Sequence, residues 1–338
     1  MSVRTVGLLV VAIATAAIVT AEQRWSPSRT PDGQPDLQGV WADNTITPFE
    51  RPPELAGKAS LTVAEVAVLK ERAARLFSGS GDTAPGDELF LALLANPAEH
   101  KTTRAGGDYN QFWLDDGLVF DNRTSQVIDP PDGLLPALTA EGKEKQAASV
   151  AAARLHPADG PEDRVPQERC LTFGTARIGR LQARNNSYHQ IVQTPGYVVI
   201  SSEMIHEARI IPLSGRAHAN DKLRFWSGDS RGRWEGETLV IDTANFSTHM
   251  TFRQKLGLAV SGEHVHLIER LTLIDQDTIR YEAKVEDPTT WTRPWTAATT
   301  WKRSSKGILE YACHEANYSM GAILRGARAE EKAAQAGR

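Results

Sequence analysis

The chain has 338 residues, 41% hydrophobic and 24% charged, with a formal net charge of −4. That length allows one large domain or two small ones. The mild charge is mixed along the sequence with no basic stripe, which excludes nucleic acid as an expected partner.

Arg4 precedes an apolar run from Val6 to Ala21 that closes on the small residues Val19-Thr20-Ala21, the pattern of a signal peptide over residues 1–21. The expectation is an exported protein, periplasmic or extracellular. No later segment approaches the length and apolarity of a bilayer span, so no stable membrane span is expected after signal cleavage. Residues 22–36, rich in Pro, Ser and Asp, read as an extended arm, and residues 37–322 as a single β-rich domain. The domain opens on a strand over 37–41 and a Pro-rich loop. Thr62 followed by Glu65 fits a capping box, and Val63, Val66, Leu69 and Leu76 recur at helical spacing, which predicts a helix over 62–77. Two more helical insertions are expected, over 87–95, stopped by Asn96-Pro97, and over 139–155.

Strands make up the rest. Residues 109–113 and 118–121 form one expected pair, and 188–194 and 197–203 another, hinged at Pro195-Gly196. Strands over 209–213, 223–226, 238–242, 265–274, 278–286, 290–302 and 309–313 follow, and an Ala-rich helical tail covers 323–338. Many strands joined by short polar turns predict an antiparallel, barrel-like sheet with the helices as insertions; a β-propeller or a sandwich is the alternative. Cys170 and Cys313 lie far apart in sequence. In an exported chain they form one bridge or remain two buried thiols.

One hairpin defines an inside. Ile279, Tyr281, Ala283 and Val285 alternate with Arg280, Glu282, Lys284 and Glu286, the pattern of a half-buried strand. A loop over Asp275-Gln276-Asp277 sets Leu273 opposite Ile279, Leu271 opposite Tyr281, Glu269 opposite Ala283 and Leu267 opposite Val285. Glu269 therefore faces the apolar side. A carboxylate there needs a cation or several donors, and the readings are a structural pair with Arg293 or Arg231, or a ligand contact with acid/base character.

The most charge-dense stretch, Ser227 to Thr238, gathers Asp229, Arg231, Arg233, Trp234 and Glu235 around three glycines. It reads as a turn in which Asp229 caps backbone amides and Gly232 and Gly236 take positive φ, with the charges at the mouth of a polar pocket. Trp291, Arg293 and Trp295 at spacing two are expected on one strand face, able to stack on a ring and hold an anion or to pack as core. Glu203 and His206 cooperate only where the chain bends between them. His264 and His266 share an outward face, so hydrogen-bonded or surface histidines are expected there and no metal ligand is assigned. Cofactors are otherwise unknown.

Several runs together carry a resemblance: residues 30–37 (TPDGQPDL), 193–197 (QTPGY), 228–236 (GDSRGRWEG), 287–295 (DPTTWTRPW) and 311–315 (YACHE). Over nearly the whole mature chain the sequence resembles a family of uncharacterised exported proteins abundant in soil bacteria such as acidobacteria; the resemblance implies export and brings no activity or catalytic residue. Gly39-Val40-Trp41 also resembles the first-strand signature of lipocalins, which implies a calycin-like barrel. The combined expectation is a small organic or carbohydrate ligand in a pocket lined by Trp, Arg and carboxylates. The candidate catalytic residues are Glu203, His206, Asp229, Glu235 and Glu269, and the candidate ligand contacts are Arg231, Arg233, Trp234, Tyr281, Trp291, Arg293 and Trp295. Acid/base hydrolase or lyase chemistry and a non-catalytic binding protein are the two readings.

Overall fold

The computed structural model describes residues 25–76, 82–83, 87–95, 109–110, 118–172, 186–249 and 262–337. The expected signal peptide lies outside them. In chain order the strands are β1 (Gly39–Ala42), β2 (Asp82–Thr83), β3 (Tyr109–Asn110), β4 (Val127–Asp129), β5 (Tyr188–Thr194) and β6 (Tyr197–Ser202). They continue with β7 (Glu207–Pro212), β8 (Asp229–Glu235), β9 (Thr238–Ala244), β10 (His266–Asp275), β11 (Thr278–Glu286) and β12 (Trp295–Ser304). The helices are α1 (Val63–Leu76), α2 (Asp87–Ala95), α3 (Ala140–Leu155) and α4 (Ser319–Ala336).

A 10-stranded antiparallel sheet runs β7-β6-β5-β1-β12-β11-β10-β9-β8, with β4 added beside β12. The alternation in β10 and β11 produces the expected register: Leu273 faces Ile279, Leu271 faces Tyr281, Glu269 faces Ala283 and Leu267 faces Val285. The inner residues, among them Leu239, Ile241, Leu267, Ile279, Val285 and Trp301, form the main core. A second apolar cluster lies under α1 and α2, built from Leu61, Leu69, Leu89, Phe90 and Leu93. The Thr62/Glu65 capping box forms, the Glu65 amide donating to Thr62 Oγ1 at 3.2 Å and the Thr62 amide to Glu65 Oε2 at 2.8 Å. Val63, read as part of the apolar stripe, is 89% exposed instead.

The sheet is not closed into a barrel. Its edges are β7 and β8, which approach each other through side chains without sharing a ladder. Gly232 marks the approach: a Cβ there would lie 2.6 Å from Leu213 Cδ2 and 2.9 Å from Ile211 Cγ2. Gly232 sits within β8, so the expected turn over this stretch is corrected to a strand; positive φ belongs to Gly228 (70°) and Gly236 (61°) on either side. The glycine at position 232 serves close packing across the seam.

Four other expectations are revised. Tyr109–Asn110 pairs with Asp82–Thr83 rather than with 118–121, where Val119 makes an isolated parallel bridge to Thr45; residues 111–113 lie outside the described set. Residues 223–226 contribute one bridge, Phe225 to Phe246, and no strand. Residues 309–313 are not a strand, though they are held by the Cys170–Cys313 disulfide, Cα–Cα 5.8 Å. The final long strand begins at Trp295, because Pro294 lacks the amide that a ladder needs.

Candidate functional site

Glu269 is 1% exposed and faces the interior. Its partner is Arg209 of β7, not Arg293 or Arg231: Arg209 Nη1 donates to Glu269 Oε1 at 3.0 Å and Nη2 to Oε2 at 2.6 Å. The Tyr281 hydroxyl donates to Oε1 at 2.7 Å, and Arg209 Nη2 also reaches Ser230 Oγ at 3.2 Å. Burial alone would lower the Arg209 pKa, but the Glu269 carboxylate and its hydrogen bonds overcome this and raise it. Burial, reinforced by the adjacent carboxylate, pushes the Tyr281 phenol well above its ordinary value. The Tyr281 ring stacks on Trp301 at 4.7 Å, and Trp301 stacks on His189 at 4.6 Å. Strands β7, β8, β10 and β11 all contribute to this cluster, and its charges cancel internally. The geometry is that of a pin across the seam. Arg209 was legible only as a basic residue two positions from Ile211 and so on the same strand face; that it meets Glu269 is a product of the curl.

Alternation along β8 divides the charge-dense stretch between two faces. Ser230, Gly232 and Trp234 lie on the side of Arg209 and the core, while Asp229, Arg231, Arg233 and Glu235 lie on the other. On that outer side Arg231 pairs with Asp229, and Arg233 and Arg270 both bind Glu235. Hydrogen bonds from Arg270 and then Arg233 hold the Glu235 carboxyl below its usual range. The expected common pocket of carboxylates, guanidiniums and indole therefore does not form. Nor do Trp291, Arg293 and Trp295 share a strand face. Trp291 and Trp295 are core residues, 2% exposed and edge to face at 5.5 Å. Arg293 lies at the surface, paired with Asp129 at 2.6 Å.

Glu203 and His206 do come together, at a bend. β6 ends at Ser202, a single turn over Met204–His206 follows, and β7 begins at Glu207. Ile205 (φ 58°) and His206 (φ 42°) occupy the left-handed region, which a β-branched residue enters at a cost of about 1–3 kcal/mol. Glu203, 3% exposed, accepts from Asn186 Nδ2 at 2.7 Å and from the Leu309 amide at 3.1 Å. His206 Nδ1 lies 3.0 Å from the Tyr311 carbonyl. A carbonyl only accepts, so Nδ1 carries the proton and, in the neutral ring, Nε2 keeps its lone pair.

Both residues thus anchor residues 308–315, which cross this end of the sheet as a strap fastened by the Cys170–Cys313 disulfide. Between strap and β6 is a cleft of about 390 Å³ lined by Ser201, Ser202, His206, Glu310, His314 and Glu315 among others. No arginine or lysine is among the described residues that line it. A second hollow of about 490 Å³, beside Gln167, Glu168 and Met320, shares residues 310–313 as a wall. Sequence reasoning missed the strap because residues 309–313 have strand composition. The signal that could have found it is the Cys313-His314-Glu315 run beside a bridging cysteine.

Among the described residues no group of three or more His, Cys, Asp or Glu side chains is arranged to hold a metal ion. No described helix is long and apolar enough to cross a membrane.

Fold and cleft together define an antiparallel β protein, its sheet curled but unclosed, with a cleft of mixed polar and apolar lining under a disulfide-fastened strap. No protein-family model matches the chain, and no curated protein matches it. A solved structure of a secretary abundant heat soluble (SAHS) protein from Ramazzottius varieornatus is similar over 35% of this chain and 70% of that one, at 12% identity and a TM-score of 0.23.

Proposed function

We propose that the protein is an exported binding protein for a small, uncharged, hydroxyl-rich organic molecule, a carbohydrate above all, seated in the cleft beside His206. The observation that carries this reading is the cleft's lining: hydroxyls, imidazoles and carboxylates beside the apolar Ile308, Leu309 and Ala312, with no arginine or lysine among the described residues. Sugar hydroxyls both donate and accept, so they match carboxylate acceptors and imidazole nitrogens, whereas an anionic ligand would meet Glu310 and Glu315 without a counter-charge. The disulfide supports an oxidising compartment and hence export.

A second reading, acid/base catalysis of hydrolase or lyase type, draws on His206, whose tautomer is fixed by Tyr311 and whose strained backbone is the kind of outlier found at working sites. Binding is the stronger of the two because the described residues of the cleft supply no guanidinium for a developing negative charge.

The experiment is a thermal-shift and calorimetric screen of neutral sugars against the corresponding sugar acids. Neutral sugars are expected to raise the melting temperature, a ligand at a hundred times its Kd contributing about 2.7 kcal/mol, and His206→Ala to abolish the shift while the far-UV circular dichroism is unchanged. Sugar acids binding in preference to neutral sugars, or a shift that survives His206→Ala, would overturn the assignment. Proton NMR of the same mixtures separates the two readings, since slow conversion of the ligand that His206→Gln stops supports chemistry.

A further inference from the structure

On the outer face of the sheet two imidazoles converge on one carboxylate oxygen. His218 Nε2 lies 2.9 Å and His266 Nε2 2.8 Å from Asp242 Oδ1. The remaining ring nitrogens also face carboxylates: His218 Nδ1 is 3.2 Å from Asp229 Oδ2, and His266 Nδ1 is 3.3 Å from Glu286 Oε2. An ionised carboxylate accepts and never donates, so each of these four contacts requires an N–H, while a neutral imidazole has one. All four contacts are hydrogen bonds only when both rings carry two protons. Loss of either proton turns a hydrogen bond into a contact between lone pairs.

The surrounding charges agree. Arg231 of β8 pairs with Asp229, and Lys284 of β11 with Glu286, while Asp242 of β9 has the two imidazoles as its partners. Burial would lower the His266 pKa, but the hydrogen bond and charge of Asp242, then those of Glu286, raise it above its ordinary 6.5. Burial would raise Asp242, yet the hydrogen bonds from His266 and His218 hold it below the usual range. Lys284, ahead of His266, does the same for Glu286.

His218 does not belong to the sheet. It lies in the link from β7 to β8, and the same cluster holds its neighbours: the Ala219 amide donates to Asp229 Oδ2 at 2.7 Å, Arg231 Nε to the Ala217 carbonyl at 3.2 Å, and Asn245 Nδ2 to the Ala219 carbonyl at 2.9 Å. His218, together with Asp229, Arg231 and Asn245, thus fastens residues 217–219 to β8 and β9, and His266 shares the Asp242 carboxylate on which His218 rests. We propose that this cluster is a proton-operated clamp, which docks the β7–β8 link on the sheet while both imidazoles are doubly protonated and releases it as they lose their protons.

The signs follow from the directions above. The His266 contribution is full below 6.5 and is lost as pH rises through its raised folded value; those of Asp242 and Glu286 are full above the ordinary carboxylate range and lost as pH falls through their lowered ones. Docking is tightest in the mildly acidic window between. This inference stands apart from the cleft and does not depend on its ligand.

The test is amide hydrogen exchange of residues 217–219, corrected for the intrinsic pH dependence of exchange, between about pH 5 and about pH 8, with histidine ring NMR alongside. Protection of the Ala219 amide is expected to fall about tenfold or more as pH rises across that range, and to lose that pH dependence in His218→Gln. His156→Gln, which removes the exposed imidazole beside Asp159, leaves it unchanged. Equal protection at both ends of the range, an unaltered pH dependence in His218→Gln, or a singly protonated His218 ring while Ala219 stays protected would each overturn the clamp.

Discussion

Removing one member of the Arg209–Glu269 pair leaves the other charge buried without a counter-ion, so the two residues cannot be changed independently. Glu269→Gln or Arg209→Met is expected to lower the unfolding free energy by about 3–5 kcal/mol, measured by urea titration, because the desolvation cost remains while the attraction is lost. The double replacement by apolar residues of similar volume is expected to recover most of that loss. Tyr281→Phe removes one hydrogen bond to a charged acceptor, a change of about 1.5–3 kcal/mol. A single Glu269 variant with unchanged stability would show that the pin carries nothing. The inward placement of Glu269 was legible, because strand alternation and a short loop fix the register over a whole hairpin. The identity of its cation was not, since Arg209 lies 60 positions away and meets it only because the sheet curls. In the same way Trp291 and Trp295 could be read as aromatic neighbours, but only Pro294 and the fold decide that both are core and that Arg293 is not between them.

Among the elements, the strap of residues 308–315 has no helix or strand of its own and is held by three anchors: a disulfide, the Leu309 amide on Glu203 and the Tyr311 carbonyl on His206. The disulfide spans 143 positions, so it removes a large loop entropy from the unfolded chain. Cys313→Ser, or reduction, is expected to cost about 2–5 kcal/mol and, in addition, to loosen the wall of the cleft. Any ligand found for the cleft should then bind at least about tenfold more weakly at temperatures where the reduced protein remains folded. Unchanged affinity in the folded, reduced protein would separate the strap from the site. Elements with long, clean periodicity, such as β10 and β11, were readable almost residue for residue, while α3 was legible from its Ala- and Lys-rich composition. Two-residue strands such as β2 and β3 carry no periodicity to read. β8 misled for a different reason: its sequence concentrates charge and glycine, which looks like a turn, while alternation quietly sends those charges to one face and the small residues to a crowded seam.

At the scale of the whole molecule the unclosed seam is the feature that distinguishes this sheet from a barrel. An open edge is a template for foreign strands, and natural sheets cover it. Here β7 and β8 cover each other: Ile211 and Leu213 pack against Gly232, and Arg209 bridges to Ser230 and Glu269. Closure by side chains leaves the outer amides of both edge strands outside the ladder, so local opening along the seam should cost less than global unfolding. Native-state hydrogen exchange is expected to find the amides of β8 that do not pair with β9 exchanging far faster than those of β10 and β11, whose neighbours are strands on both sides. Gly232→Ala tests the same seam from the packing side. The added methyl must displace the ends of Leu213 and Ile211, an overpacking cost of about 1–3 kcal/mol, and it should speed exchange along β7 while leaving β10 and β11 near their former rates. Protection of the unpaired β8 amides equal to that of β10 would mean that the edges do join through a backbone ladder, and the account of Arg209, Gly232 and Glu269 as side-chain closure would fail together with it.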